Sequence, residues 1–375
     1  MQFPTLQALF SVVFSLTTGD YASDTPLPPT SSRCVNPTVR KEWRSLTPNE
    51  RADWTRAVTC LANLPREEAF QPIPEIAPLR YAPAFNPAGS YYDDIVYLHV
   101  KRDEEIHFTG YFLPWHRWYV HSFDTALRSK CSFRGPTPYW NWSMDAFDVY
   151  NSPVVQDDNP YTGVGSWGDS TTDYEVPSGP FGASSTFRLS YPCPHVLRRK
   201  YELHPYLHSL QPEFLRDPHL AVNTTFTVEK MIYLMNGFDG DYKGFQKFFE
   251  DFQGAHSGIH LVIGGDMSSS CPAGAPEGCN GGSKWAPNEP LFWMHHAMVD
   301  KIWHDWQRRN PRNAAAFEGG SVQHVENTTI YERYPIGGPP FLKTETVILG
   351  DGLFADTPIS NLLDTTGGYL CYTYE

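Results

Sequence analysis

Apolar residues recur at helical spacing in four stretches of this chain: Asn49–Ala62, Trp115–Arg128, Phe245–Gly254 and Phe292–Arg309. The first is introduced by TPNE, a start with the form of a capping box. Between Asp145 and Pro194 the periodicity fails, and Gly, Ser, Pro and Asp dominate. That segment reads as a long decorated loop over a helical core. Near the other end, TVILGDGLF and GGYLCYTYE contain short strand-like runs. No repeat, low-complexity tract, charge block or break in composition divides the chain. The pattern therefore predicts one mainly α domain over residues 33–375, with long loops and a few short strands. An apolar run from Leu6 to Leu16, followed by small residues, has the form of a secretory signal peptide lacking its basic n-region. It is expected to end near residue 20, with 21–32 as a flexible lead-in. The run is too short to span a membrane.

Composition narrows the class. With 41% hydrophobic and 15% aromatic residues, the chain can bury an enzyme-sized core. A formal charge of −13 argues against nucleic acid or an anionic membrane as partner. Thirty-three prolines and 28 glycines predict interrupted helices. Seven cysteines, none in CxxC spacing, fit an oxidising compartment better than a zinc site. Cys271 and Cys279 bracket PAGAPEG as a local bridge, Cys60 with Cys131 and Cys34 with Cys371 are the long-range candidates, and Cys193 is left over. Sequons at Asn223 and Asn327 are candidate glycosylation sites, whereas Asn141, within YWNWS, is expected to be buried among aromatics.

The 14 histidines carry the chemistry. GAHSGIH places His256 and His260 one helical turn apart on one face. ELHPYLH offers the same spacing at His204 and His208, but Pro205 interrupts it, so that pair reads as structural. In LHVKRDEEIHFTGYFLPWHRWYVH, His107 and His116 would lie on opposite faces of an unbroken helix. Gly110 and Pro114 lie between them, and Pro114 suits the first turn of a new helix. The break lets both turn toward one point, together with His99. His121 falls on another face and is expected to pack. With one of the adjacent pair His295 and His296, the chain offers three plus three imidazoles. A six-imidazole set without thiolate or carboxylate favours copper.

FLPWHRW, GAHSGIH and EPLFWMHHAMVDKIW together resemble the type-3 dicopper proteins: tyrosinases, catechol oxidases and molluscan-type haemocyanins. YWNWS resembles a segment that follows the first copper site in that family, and residues 33–61 resemble the short secreted fungal enzymes. The resemblance implies a four-helix bundle holding two coppers, the first by His99, His107 and His116 and the second by His256, His260 and His296. His295 and Asp300 would support that last ligand, and Phe292 would stack over or gate the first copper. Dioxygen would be the co-substrate and a small phenol the substrate, oxidised to an o-quinone by a secreted monomer or weak oligomer.

Three departures from the family's pattern shape the expectation. Glu105 stands where fungal relatives often carry a cysteine crosslinked to a ligand histidine. Ser257 and Leu261 follow the two histidines of GAHSGIH, and Ser257 stands where monophenol-hydroxylating members often have Asn. Glu250 is the candidate acid–base residue beside it. No C-terminal lid domain is recognised. Diphenol oxidation is therefore expected over monophenol hydroxylation, with a full tyrosinase or an o-aminophenol or metabolite oxidase as the alternatives. An oxygen carrier fits a single lidless domain poorly.

Overall fold

The computed structural model describes residues 34–73, 82–208 and 211–375. The expected signal peptide and lead-in lie outside the described residues. Seven helices build the core: α1 Pro48–Leu61, α2 Tyr91–Ile106, α3 Phe112–Cys131, α4 Val228–Asn236, α5 Tyr242–Glu250, α6 Ala255–Ile263 and α7 Leu291–Arg309. Their starts are chemically marked. Thr47 and Glu50 complete a capping box at α1, and Ser90 and Asp93 complete one at α2. Arg308 and Arg309 in the last turn of α7 face its negative dipole end.

The bundle forms because α3 packs on α7, α2 and α1, while α4 also lies against α7 and α5 against α6. Helix α2 escaped the periodicity because twelve of its sixteen residues are buried, leaving no continuous polar face. The pattern expected over Phe245–Gly254 divides at Asp251, and the histidine-bearing α6 begins afresh at Ala255. Pro114 lies in the first turn of α3, as its chemistry requires. Between α2 and α3 the backbone at Gly110 crosses strand β2 (Gly320–Val322). Its amide bonds Gly320 C=O at 2.9 Å, and a Cβ there would meet Gly319 Cα at 2.9 Å. Only glycine permits that approach.

The loop from Asp145 to Pro194 is not a decoration. It buries Val154, Val155, Val164, Val176, Phe181 and Phe187. Phe181 meets Trp54 of α1, and Phe187 meets Tyr92 of α2. Its irregular sequence hid a share of the core. The strands are short and pair in twos. β1 (Thr38–Arg40) runs parallel to β6 (Tyr372–Tyr374), with Thr38 opposite Tyr372. β2 pairs with β3 (Gly338–Phe341), and β4 (Val347–Ile348) with β5 (Thr357–Pro358), both antiparallel. Cys34–Cys371, Cys60–Cys131 and Cys271–Cys279 are disulfides, and Cys193 is free. The first closes the β1–β6 seam.

One buried polar hub joins these parts. Asp300 on α7 accepts hydrogen bonds from Arg117 of α3 and from the hydroxyls of Tyr372 and Tyr374 on β6. The Arg117 guanidinium also lies 3.7 Å from the centre of the Trp303 ring and donates to Leu362 C=O at 2.8 Å. Burial opposes ionisation of Asp300, but Arg117 and the two hydroxyls outweigh it and hold the carboxyl below its ordinary value. Asp300→Ala leaves Arg117 buried without its counter-charge. It should cost about 3–5 kcal/mol, against about 1 kcal/mol for Tyr374→Phe, read from denaturant midpoints.

A pH dependence follows from His304, buried outside the histidine groups, where burial pushes the imidazole down to about 3. The unfolded chain takes up that proton near the ordinary value of about 6.5, whereas the folded one does not. Stability from this site is therefore complete above that value and is lost as pH falls toward about 3. His304→Gln should flatten that part of the stability profile relative to wild type; parallel profiles would contradict the assignment.

Candidate dinuclear metal centre

Each of the four helices α2, α3, α6 and α7 brings histidine to the middle of the bundle. His99 projects from the body of α2, His107 caps its C-terminus, and His116 sits in the second turn of α3. Each of these three offers a ring nitrogen within 4.8 Å of the others. His256, His260, His295 and His296 form a second group by the same measure. The two groups face each other, with the His116 and His296 rings stacked 4.2 Å apart at 11° and the His107 and His256 rings 6.3 Å apart. All seven are buried. His204 and His208 lie exposed and outside both groups, and His121 packs on Tyr369 at 5.3 Å.

Backbone carbonyls choose the tautomer of four of these rings. The Nδ1 of His99 is 2.8 Å from Lys284 C=O, and that of His107 is 2.9 Å from Asp103 C=O. His116 Nδ1 is 2.8 Å from Phe112 C=O, and His260 Nδ1 is 2.8 Å from Met267 C=O. A carbonyl accepts only from N–H, so each Nε2 lone pair is bare and aimed inward. The Nε2 atoms of His99, His116, His256, His260, His295 and His296 are buried without a hydrogen-bond partner, and in His256, His295 and His296 neither ring nitrogen has one. An unpartnered buried acceptor costs about 1–3 kcal/mol, and six imidazoles that each keep a bare lone pair in one place suit a Lewis-acidic partner. Burial also keeps the rings neutral: His99 is pushed down to about 3, His260 to about 4, and His116, His256, His295 and His296 well below their ordinary value. Neutral imidazoles with free Nε2 atoms, unmixed with thiolate, fit a pair of copper ions.

Comparison with known proteins gives this geometry a family. The common central domain of tyrosinase matches residues 89–309, more than half of the chain. The chain belongs to the tyrosinase family. A tyrosinase-like protein of Diaporthe leptostromiformis is 31% identical over 366 residues, covering 95% of this chain and 81% of its own. An N-acetyl-6-hydroxytryptophan oxidase of Emericella nidulans is 26% identical, with 91% and 93% covered. Among solved structures, a variant of the polyphenol oxidase from Thermothelomyces thermophila superposes with a TM-score of 0.63 at 25% identity, over 92% of this chain and 90% of that one. The family's enzymes are dinuclear copper oxidases that use dioxygen, and this chain is one of them.

The remaining site residues fall as follows. Phe292 is fully buried, 4.2 Å from the His296 ring and 5.5 Å from the His99 ring. With no exposed surface, the ring is an apolar spacer shared by both groups. Ser257 and Leu261 are half-buried on α6. Glu105 is exposed and paired with Arg102 at 2.9 Å. His295 does not turn aside from the second group; its ring lies 4.9 Å from that of His260 and 5.4 Å from that of His256. Asn141 is buried, as expected. Asn327 is exposed at a helix start, whereas the Asn223 amide is engaged with Ala146 C=O at 2.8 Å.

Glu250 is buried, and burial raises its carboxyl well above the ordinary value. It accepts from the amide of Phe108 and from Gln246 Nε2, which also donates to Thr109 C=O at 2.7 Å. Phe108 is a non-glycine residue in the left-handed region, φ 52°, immediately after His107. These two side chains, with Gln323 donating to His107 C=O at 2.9 Å, hold the turn between α2 and α3. Sequence reading missed Gln246, Gln323, Ser283 and Lys284, for which no spacing signal exists. It also missed Asp103, whose signal was present: His99, Asp103 and His107 repeat at intervals of four. Glu250→Ala should cost about 1–3 kcal/mol by stripping Phe108 N–H of its acceptor. Glu250→Gln, which keeps an oxygen there, should recover most of that loss in thermal unfolding.

Proposed function

We propose that this protein is a secreted catechol oxidase, oxidising o-diphenols to o-quinones while dioxygen is reduced to water, with monophenol hydroxylation weak or absent. In this reading His99, His107 and His116 hold the first copper and His256, His260 and His296 the second, with His295 alongside. When bound, the metal pair supplies the electron and oxygen chemistry. The chain binds and orients the phenol, excludes water and keeps the imidazoles neutral. Ser257 and Leu261, half-buried on α6 directly after His256 and His260, are its candidate substrate contacts.

The observation that carries the preference for diphenols is the state of Ser257 and Glu250. The Ser257 hydroxyl points at Glu250 C=O, 3.3 Å away, which occupies its single donor. The Glu250 carboxyl, its ionisation opposed by burial, already accepts from the Phe108 amide and from Gln246 Nε2. Neither group is poised to strip a proton from a monophenol, whereas a catechol needs less help to ionise and to engage both metals. Three disulfides and the exposed sequon at Asn327 support secretion, and no helix among the described residues is long and apolar enough to cross a membrane.

A second reading keeps the site and changes the substrate to an o-aminophenol or a tyrosine-containing metabolite or peptide. The name of the Emericella nidulans relative, a hydroxytryptophan oxidase, favours including hydroxyindoles. Copper-loaded protein should bind two coppers per chain and turn over catechol much faster than a monophenol. A robust monophenol rate without a lag would reject the diphenol preference. His256→Ala should lose one copper and all oxidase activity, and retained turnover would refute the ligand assignment. Ser257→Asn should raise the monophenol rate by about tenfold or more, within what positioned proton transfer supplies.

A further inference from the structure

His107 is the histidine least secured by a helix. It sits at the C-cap of α2 with extended backbone, just before the left-handed Phe108. Its ring is held by neighbours. Nδ1 lies 2.9 Å from Asp103 C=O, 3.2 Å from Asp103 Oδ1 and 3.4 Å from Ser283 Oγ. The Ser283 hydroxyl donates to the same Asp103 oxygen at 2.6 Å, and the Lys284 ammonium lies 3.4 Å from the other. Lys284 C=O receives the Nδ1–H of His99. Asp103 is buried, four residues after His99 and four before His107, so all three share one strip of α2.

We propose that Asp103 is a positioning residue for the first copper: with Ser283 and Lys284 it forms a clamp that fixes the ring orientation and Nδ1–H tautomer of His107 and steadies His99. The proposal rests on the reading that His99, His107 and His116 hold that copper. Lys284 balances the charge of Asp103 at the far oxygen, so the clamp contributes direction more than net charge. A carboxylate on the distal nitrogen of a ligand imidazole sharpens its orientation and raises its basicity. Here the clamp does by hydrogen bonds what a covalent tether at position 105 cannot, since that residue is an exposed glutamate. It also couples the first centre to the segment that leads into α7, and therefore to His295 and His296. A simpler role, an Asp103–Lys284 ion pair tying that segment to α2, predicts a general loss of stability with no preference between the two coppers.

The test is a chelator titration of the copper-loaded full-length protein, following copper retained per chain and the melting temperature together. Wild type should hold two coppers. In Asp103→Ala one of them should leave at roughly ten- to a hundredfold lower chelator, the usual effect of removing such a partner, while the other leaves as in wild type. Asp103→Asn, which restores an acceptor oxygen, should recover part of that loss, and Ser283→Ala should show a smaller shift of the same copper. Should Asp103→Ala fail to fold, the Asn and Ser283 variants decide. Unchanged titrations, or equal weakening of both coppers in step with the melting temperature, would overturn the clamp alone. Fewer than two coppers in wild type would overturn the ligand reading, and the clamp with it.

Discussion

Everything in the bundle is registered by one buried contact, the Arg117–Asp300 pair. Arg117 follows His116 on α3, and Asp300 lies one turn after His296 on α7. The pair therefore sets the height of a histidine from one group against a histidine from the other. The His116 and His296 rings stack at 4.2 Å beside it. Desolvating such a pair is costly, and the cost is offset by the further hydrogen bonds that both partners make. Tyr372 and Tyr374 reach Asp300 from β6, Gln307 and Leu362 both accept from Arg117 Nη1, and the guanidinium, whose Nη2 has no hydrogen-bond partner, lies over the Trp303 ring. The two ends of the described chain thereby become part of the site's frame, through β6, its partner β1 and the Cys34–Cys371 disulfide.

The second constraint is dryness. Seven buried imidazoles cannot all carry hydrogen-bond partners on both nitrogens without filling the space between them. The fold resolves this asymmetrically. Four rings spend Nδ1 on a carbonyl of their own turn or of an adjoining loop and leave Nε2 bare. The carbonyls of Asp103 and Phe112 sit one turn before their histidines, so helix geometry alone delivers them. Those of Lys284 and Met267 come from loops, and these loops must be braced. Ser269 holds Trp285 N–H at 3.0 Å, and the Cys271–Cys279 bridge closes the segment between them.

The bundle and the histidine groups were legible from sequence wherever a side chain repeats on a helical period or a proline marks a break. His256 with His260, and Pro114 before His116, are of this kind. Legibility failed where burial erased the period, as in α2, and where irregular sequence packs inward, as in residues 145–194. Glu250 was found as an acid but not as the brace of a strained turn. Its partners, Phe108 and Gln246, meet it only through tertiary structure. For Phe292 the motif marked the position, while its burial between both groups came only with the packing of α7.

The adjacent histidines of α7 illustrate how far a local rule extends. Neighbouring residues on a helix diverge by about 100°, which would send one of the pair away from the centre. That holds when the helix borders solvent on one side. Here α7 is enclosed, and α6 lies against the flank that His295 faces. His295 therefore meets His256, His260 and Trp142, while His296 meets His116 and Phe292. Both also lie near His256 and His260, so the divergence changes what else each meets without removing either from the group. His296 stacks on His116 across the two groups, as His256 does on His107, and shares its helical face with Asp300. His295 fills the space behind α6 that a smaller side chain would leave open to repacking of His256 and His260.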